Sequence, residues 1–121
     1  MKTIFSLYRT KTKQEVKRQK TACEIYADLQ EWTISKEFIE CEEDSNDFDP
    51  LLEIRTAALN GEFDVLLVYE YDNVGRDTLE TPFAICWFVD NNIDVVSVKY
   101  EKRSFDKEIH QLIKQYNPMN R

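Results

Sequence analysis

The stretch Val65-Leu66-Leu67-Val68-Tyr69 decides the fold of this chain. Every side chain in it is apolar, and its β-branched and aromatic residues favour an extended strand. A strand that alternates apolar and polar residues has one face in water, whereas a strand that is apolar throughout is covered on both faces. Strands of the second kind are typical of parallel sheets with helices above and below. The stretch therefore predicts an α/β protein.

Elements of alternating type flank this strand. Towards the N-terminus the pattern predicts a strand, a helix, a strand and a helix, over residues 4–8, 13–29, 37–41 and 50–59. Towards the C-terminus it predicts a polar turn, a helix, a second fully buried strand and a last helix, over residues 72–77, 78–91, 94–98 and 105–116. This alternation predicts a three-layer sandwich, with a central, mostly parallel sheet of four or five strands and helices on both faces.

The two C-terminal helices carry most of the remaining apolar side chains. In the helix over 78–91 we expect Leu79, Phe83, Ile85 and Val89 inside the core, together with the Trp87-Phe88 pair. In the last helix the apolar positions form a stripe from Phe105 to Tyr116. That stripe either packs on the sheet or forms a self-association surface, and the sequence leaves both readings open.

Length and composition predict a single domain over residues 1–121. The chain has 42% hydrophobic residues and only 2 glycines, which is typical of a packed core and excludes a disordered segment. Its longest apolar run, 84–89, is much shorter than the roughly 20 residues of a membrane span. We therefore expect a cytoplasmic domain with no membrane partner. Three cysteines without metal-ligand spacing and a single histidine predict reduced thiols, no metal and no cofactor.

The charge is unevenly distributed along the chain. The net charge of −7 argues against a dedicated nucleic-acid-binding protein. The first 20 residues nevertheless contain seven Lys or Arg against one Glu, while six acidic residues lie within 40–49. A basic patch on an acidic body leaves DNA as a weak partner of this chain alone.

The position of a functional site follows from the predicted sheet. Ligands of open parallel sheets bind outside the carboxyl ends of the strands. At that edge the chain has the four segments 8–13, 41–49, 69–76 and 99–103. We therefore expect the functional residues to lie there.

One segment at this edge resembles a known family. Residues 61–77, GEFDVLLVYEYDNVGRD, resemble the segment G-x-F-D-V-L-L-V-x-x-L-D-R-L-x-R of the serine recombinases, the resolvase/invertase family. Weaker matches follow in the same order, at Leu7-Tyr8-Arg9, at Gln19 with Tyr26, at 48–52 and at 92–98. The resemblance implies a resolvase-like fold. Family members continue into a DNA-binding domain, so the resemblance implies either a fragment that contains only the core of the catalytic domain or a stand-alone degenerate homologue.

The resemblance implies a particular active site. In the family, a serine at the end of the first strand attacks a DNA phosphodiester and forms a 5′-phosphoserine link, with arginines around the phosphate. The corresponding positions are Arg9, Lys11, Asp72 and Arg76, with Thr12 beside Lys11. Lysine stands where the family has its serine, and an ammonium group cannot form that ester. As a lysine, Lys11 is either a new phosphate contact or a solvated surface residue.

Two further family positions are substituted. Asp49 and Asn73 stand where the family has arginines, so one phosphate contact is lost and another is replaced by a like charge. Arg9 and Arg76 remain, and we expect their guanidinium groups to converge on one anion. The alternative for Arg76 is a surface salt bridge with Asp72.

The leading hypothesis is a serine-recombinase-like domain associated with site-specific DNA recombination or mobile-element biology. Its catalysis is impaired, and it acts in dimerisation or regulation, as a homo-oligomer or paired with another recombinase subunit. A second hypothesis is an active recombinase whose nucleophile is Thr12 or Ser6. A third is an anion- or nucleotide-binding α/β module, although 11–13 reads Lys-Thr-Lys where a glycine-rich loop is expected. A DNA-binding domain downstream in the full-length gene product would favour the first two.

Overall fold

The computed structural model describes residues 2–44, 49–75 and 79–99. The predicted last helix over 105–116 and Arg76 lie outside these residues. Four strands and three helices alternate along the described chain: β1 (Ile4–Thr10), α1 (Lys13–Leu29), β2 (Ile34–Cys41), α2 (Pro50–Leu59), β3 (Val65–Val68), α3 (Thr81–Asp90) and β4 (Asp94–Ser97). Short 3-10 turns lie at Glu42–Asp44 and Tyr71–Asn73.

The four strands form one parallel sheet in the order β2-β1-β3-β4. β1 pairs with β2 on one side and with β3 on the other, where Ile4–Leu7 lie opposite Val65–Val68. All four residues of β3 are buried, as their unbroken apolar pattern predicts. The α/β class, the parallel sheet and the number of strands predicted from the sequence are confirmed.

The core is divided by the sheet into two clusters. The larger one packs α2 and α3 against one face, where Phe5 stacks on Phe63 with ring centroids 4.3 Å apart. The smaller one packs Cys23 and Ala27 of α1 against the other face. Helices therefore cover both faces, which gives the three layers.

Local sequence signals set the ends of the helices. Thr12 caps α1 by accepting a hydrogen bond from the Glu15 backbone N–H. Pro50 starts α2, as predicted, because its missing N–H is not needed in the first turn. After Asn60, Gly61 has φ +68°, a left-handed conformation that glycine adopts without a steric penalty.

Some predicted boundaries and burials are wrong. β1 extends to Thr10, and β2 already begins at Ile34. The third helix begins at Thr81 instead of 78, so Leu79 lies outside it and is 84% exposed; Phe83, predicted to be in the core, is 50% exposed. β4 is not fully buried, because it is an outer strand of the described sheet, and its Asp94 side chain lies in solvent.

Within residues 2–44, 49–75 and 79–99, no helix has both the length and the hydropathy that are needed to cross a membrane.

Truncation of a β3 side chain tests the central position of this strand. Leu66 is completely buried, so we expect Leu66→Ala to lower the free energy of unfolding by about 2–5 kcal/mol through lost burial and a new cavity. Urea unfolding followed by circular dichroism measures the change. Leu59→Ala is the control, because Leu59 is 67% exposed, and we expect a loss of less than about 1 kcal/mol. Equal losses in the two variants would contradict the fold.

Candidate functional site at the carboxyl edge of the sheet

The carboxyl ends of all four strands lie at one edge, because the strands are parallel. The chain leaves this edge after Thr10, Cys41, Val68 and Ser97. The residues that follow these ends belong to the four segments that the sequence predicts for a functional site. The edge is therefore the candidate site.

Arg9 connects three segments at this edge. Its Nη1 donates hydrogen bonds to the backbone carbonyls of Asn73, at 3.1 Å, and Gly75, at 2.9 Å. Its Nη2 donates to Oε2 of Glu40 at 3.3 Å, and the two residues are partners in the β1–β2 register. The loop after β3 is thus fastened to β1 by an arginine side chain. Gly75 directly precedes Arg76, whose convergence with Arg9 stays a prediction.

Asn73 turns into the protein instead of towards the edge. Its side-chain amide donates to Oε1 of Gln19 at 3.1 Å, and the two residues are only 5% and 3% exposed. Each amide supplies a partner that the other needs when it is buried. Asn73 stands where the family named in the sequence analysis has an arginine, and it joins the loop after β3 to α1. Its neutral side chain offers no charge to an anion.

The hydroxyl groups after β1 serve local structure. The Lys11 side chain is exposed. Thr12 Oγ1 is occupied as the cap of α1, and Thr10 Oγ1 donates to the Thr12 carbonyl at 2.8 Å. The hydroxyl oxygen of Thr12, next to Lys11, therefore already accepts a hydrogen bond from the Glu15 N–H.

Ser6 is excluded as a nucleophile. It is completely buried in the central strand, and its hydroxyl donates to the carbonyl of Leu67 at 2.9 Å. A DNA phosphate cannot reach a hydroxyl that lies between two strands and under a helix. The sequence suggests Ser6 only by its residue type, and burial overturns that suggestion.

Carboxylates are frequent at this edge. Asp49 is exposed and caps α2 by accepting a hydrogen bond from the Leu51 N–H at 3.0 Å. Asp72 is exposed in the turn after β3. Glu70 forms an ion pair with Lys99 at 3.3 Å, which neutralises the lysine that follows β4. Glu40 likewise forms an ion pair with Arg9, so two cations at the edge, Arg9 and Lys99, already have carboxylate partners.

The loop after β3 passes very close to the start of α3. A Cβ atom placed on Gly75 would lie 2.7 Å from both the backbone N and Cα of Thr81. Non-bonded contacts of a Cβ atom are essentially never this short, so only glycine fits here without a shift of the backbone. Gly75 and Glu40 are site residues that the sequence analysis missed. The motif over residues 61–77 contains Gly75 and was an available signal for it. The contact of Glu40 with Arg9 depends on the strand register, which the sequence does not show.

The buried titratable groups at this end remain in their neutral forms. Burial, reinforced by the adjacent Glu37 carboxylate, raises the pKa of Tyr8, whose hydroxyl donates to Glu37 Oε2 at 2.6 Å. Burial raises the pKa of the Cys23 thiol to about 12, so a reactive thiolate does not form there near neutral pH. All three cysteines are free and buried, as the sequence predicts. Within the described part of the chain, no three His, Cys, Asp or Glu side chains cluster closely enough to hold a metal ion.

Comparisons with known proteins give a family from a family model and a shared fold from solved structures. The family described as "Resolvase, N terminal domain" matches residues 8–121. The N-terminal catalytic domain of TP901-1 integrase is 19% identical, with a TM-score of 0.73, and the match covers 96% of this chain and 95% of that one. The catalytic domain of ISC1926 TnpA, an IS607-like serine recombinase, is 16% identical, with a TM-score of 0.65 and coverages of 93% and 82%.

A resolvase family site-specific recombinase from Streptococcus pneumoniae is 12% identical, with a TM-score of 0.67 and coverages of 98% and 90%. At these identities the structural likeness shows the fold alone. A search of curated proteins finds no match.

A double-mutant cycle tests the buried amide pair. Asn73→Ala and Gln19→Ala each leave one buried amide without a partner, so we expect each to lower the free energy of unfolding by about 1–3 kcal/mol. The double variant should lose less than the sum of the two, with a coupling of about 1 kcal/mol. Urea unfolding measures all three. Asn60→Ala, at an exposed helix end, is the control, and strictly additive losses would show that the two amides do not interact.

Proposed function

Because this chain belongs to the resolvase N-terminal domain family, we propose that it is a serine-recombinase-like domain of site-specific DNA recombination that does not cleave DNA. Its role is to pair with a recombinase subunit or to regulate one. The observation that carries this proposal is the exposed Lys11 after the end of β1, where the family has its nucleophilic serine.

The covalent step of the family needs a hydroxyl and a phosphate held in line. The oxygen forms a bond to phosphorus while the 3′ oxygen of the DNA leaves, and the proton of the hydroxyl has to be removed. An ammonium group at position 11 has no oxygen to form the ester and no free electron pair to attack the phosphorus. Lys11 can contact a phosphate only as a point charge.

Thr12 is the hydroxyl beside that position that the second hypothesis takes as the nucleophile. Giving up its cap on α1 costs only about 1 kcal/mol, so the cap alone does not exclude attack by Thr12. The larger obstacle is charge. Asp49 and Asn73 leave two family arginines missing, and the loss of one transition-state donor typically lowers the rate by about 10²–10³. The combined loss supports a domain without strand cleavage.

Exposed apolar side chains support a role in subunit pairing. Leu79, which precedes α3, and Phe83, in the first turn of α3, are 84% and 50% exposed, although large apolar side chains are mostly buried in a single domain. Covering them with a second subunit would remove this apolar surface from water. The partner in this proposal is a second copy of the chain or a related recombinase subunit.

A covalent-capture assay tests the loss of cleavage. The full chain is incubated with a supercoiled plasmid library of the genome that encodes it, and protein–DNA adducts are isolated under denaturing conditions. We expect no adduct from the native chain, because position 11 lacks a hydroxyl. We also expect none from Lys11→Ser, because the two arginines at positions 49 and 73 are still missing.

Thr12→Asn is the matched variant for this assay. Asparagine keeps an acceptor that caps α1 but removes the Thr12 hydroxyl, so the fold is maintained while this candidate nucleophile is lost. An adduct that the native chain forms and Thr12→Asn does not form would overturn the proposal.

Sedimentation equilibrium tests the pairing. We expect the full chain to self-associate and Phe83→Ser to weaken this association by about tenfold or more, since loss of an aromatic side chain from an interface costs at least about 1.4 kcal/mol. Leu59→Ser is the control, because Leu59 is similarly exposed but lies on α2. Equal behaviour of the two variants, or a monomeric native chain, would contradict a contact at α3.

A further inference from the structure

We propose that the Glu40 carboxylate acts as an internal anion, which occupies Arg9 and keeps phosphate groups out of the site at the carboxyl edge. The inference rests on the proposed function, because it takes this edge to be a former phosphate-binding site. It assigns Glu40 a regulatory role at that site.

The hydrogen bonds already made by the N–H groups of Arg9 lead to this assignment. A guanidinium group carries five N–H donors, two on each Nη and one on Nε. Both donors of Nη1 are used by the carbonyls of Asn73 and Gly75. A phosphate that is gripped by two parallel hydrogen bonds therefore needs the edge formed by Nε and Nη2. Glu40 takes a donor of Nη2, one of the two nitrogens of that edge, and places its negative charge beside it.

The strand register keeps Glu40 in this position. Arg9 and Glu40 are directly paired across β1 and β2, in the ordered part of the sheet. A partner held by the fold competes at an effective concentration of about millimolar or more, without losing the freedom that a dissolved anion loses. A dissolved anion must also approach against the charge of the carboxylate.

A dissolved anion can replace Glu40 at Arg9 without unfolding of the protein. The side chains of Arg9 and Glu40 are 21% and 36% exposed, so both reach solvent at the edge. The two backbone carbonyls would still hold Nη1 after Glu40 has left. Arg9 would thus remain fastened to the loop after β3 while its other edge binds an anion.

A purely positioning role of Glu40 makes the opposite prediction. If Glu40 only orients Arg9, removal of its charge weakens anion binding at Arg9. If Glu40 competes with the anion, removal of its charge strengthens binding. Glu40→Gln separates the two roles, because glutamine has nearly the same shape and still accepts a hydrogen bond.

The experiment is a titration of the full chain with sodium sulfate at constant ionic strength, followed by the NMR signal of Arg9 Nε–H. We expect Glu40→Gln to bind sulfate about tenfold more tightly than the native chain, because a like charge close to the anion is gone. Glu53→Gln is the matched control, since it removes the same charge from an exposed ion pair with Lys36. It should bind as the native chain does.

The double variant Glu40→Gln with Arg9→Gln locates the effect. It should lose the gain in sulfate affinity, while circular dichroism verifies that the chain is still folded. Sulfate binding by Glu40→Gln that is equal to or weaker than native binding would overturn the inference, and so would a gain that persists without Arg9.

A short DNA duplex forms the second arm of the titration. A gain in affinity for both sulfate and duplex assigns the phosphodiester as the excluded group, and a gain for sulfate alone assigns free phosphate. The result is separable from the cleavage assay. No gain together with no DNA adduct sinks this inference alone, whereas an adduct from the native chain sinks the proposed loss of cleavage whatever Glu40→Gln binds.

Discussion

The parallel pairing of β1 with β3 is the contact on which the rest of the structure depends. Ile4–Leu7 lie opposite Val65–Val68 in the middle of the sheet, and the buried residues of both strands face helices on both sides. Burial of this kind requires α1 on one face and α2 with α3 on the other. Because the two strands are parallel, the pairing also brings the residues after β1 and β3 to one edge. Arg9 reaches the carbonyls of the loop after β3 for this reason.

The candidate site retains its architecture while its charged groups serve structural purposes. Asn73 is bonded to Gln19, and Asp49 caps a helix. Arg9 holds backbone carbonyls, and a carboxylate from the neighbouring strand compensates its charge. Each of these contacts stabilises the loops around the edge. The ion pair with Glu40 also offsets the positive charge of Arg9.

Local patterns in the sequence were sufficient for most of the fold. The unbroken apolar run of β3, the 3.6-residue spacing in α1 and the proline and glycine that bound α2 all act within a few residues. The errors occur where distant contacts decide. The exposure of Phe83 depends on which side of α3 faces the sheet, and the inward turn of Asn73 depends on a glutamine 54 residues away. The pairing of Glu40 with Arg9 follows only from the strand register. The resemblance predicts positions for the site residues but none of these partners.

The strand order has a consequence for the order of events during synthesis. The central strand β1 is made first, but its partner on one side is about sixty residues further along the chain, as the Ser6–Leu67 hydrogen bond illustrates. A nascent chain that ends before residue 65 therefore presents one edge of β1 without a hydrogen-bonding partner, beside apolar side chains that have no core to enter. Unpaired edges of this kind are the usual starting points of aggregation, and non-local strand pairing is slow. During synthesis this edge of β1 and the apolar side chains beside it therefore stay exposed until β3 has been added.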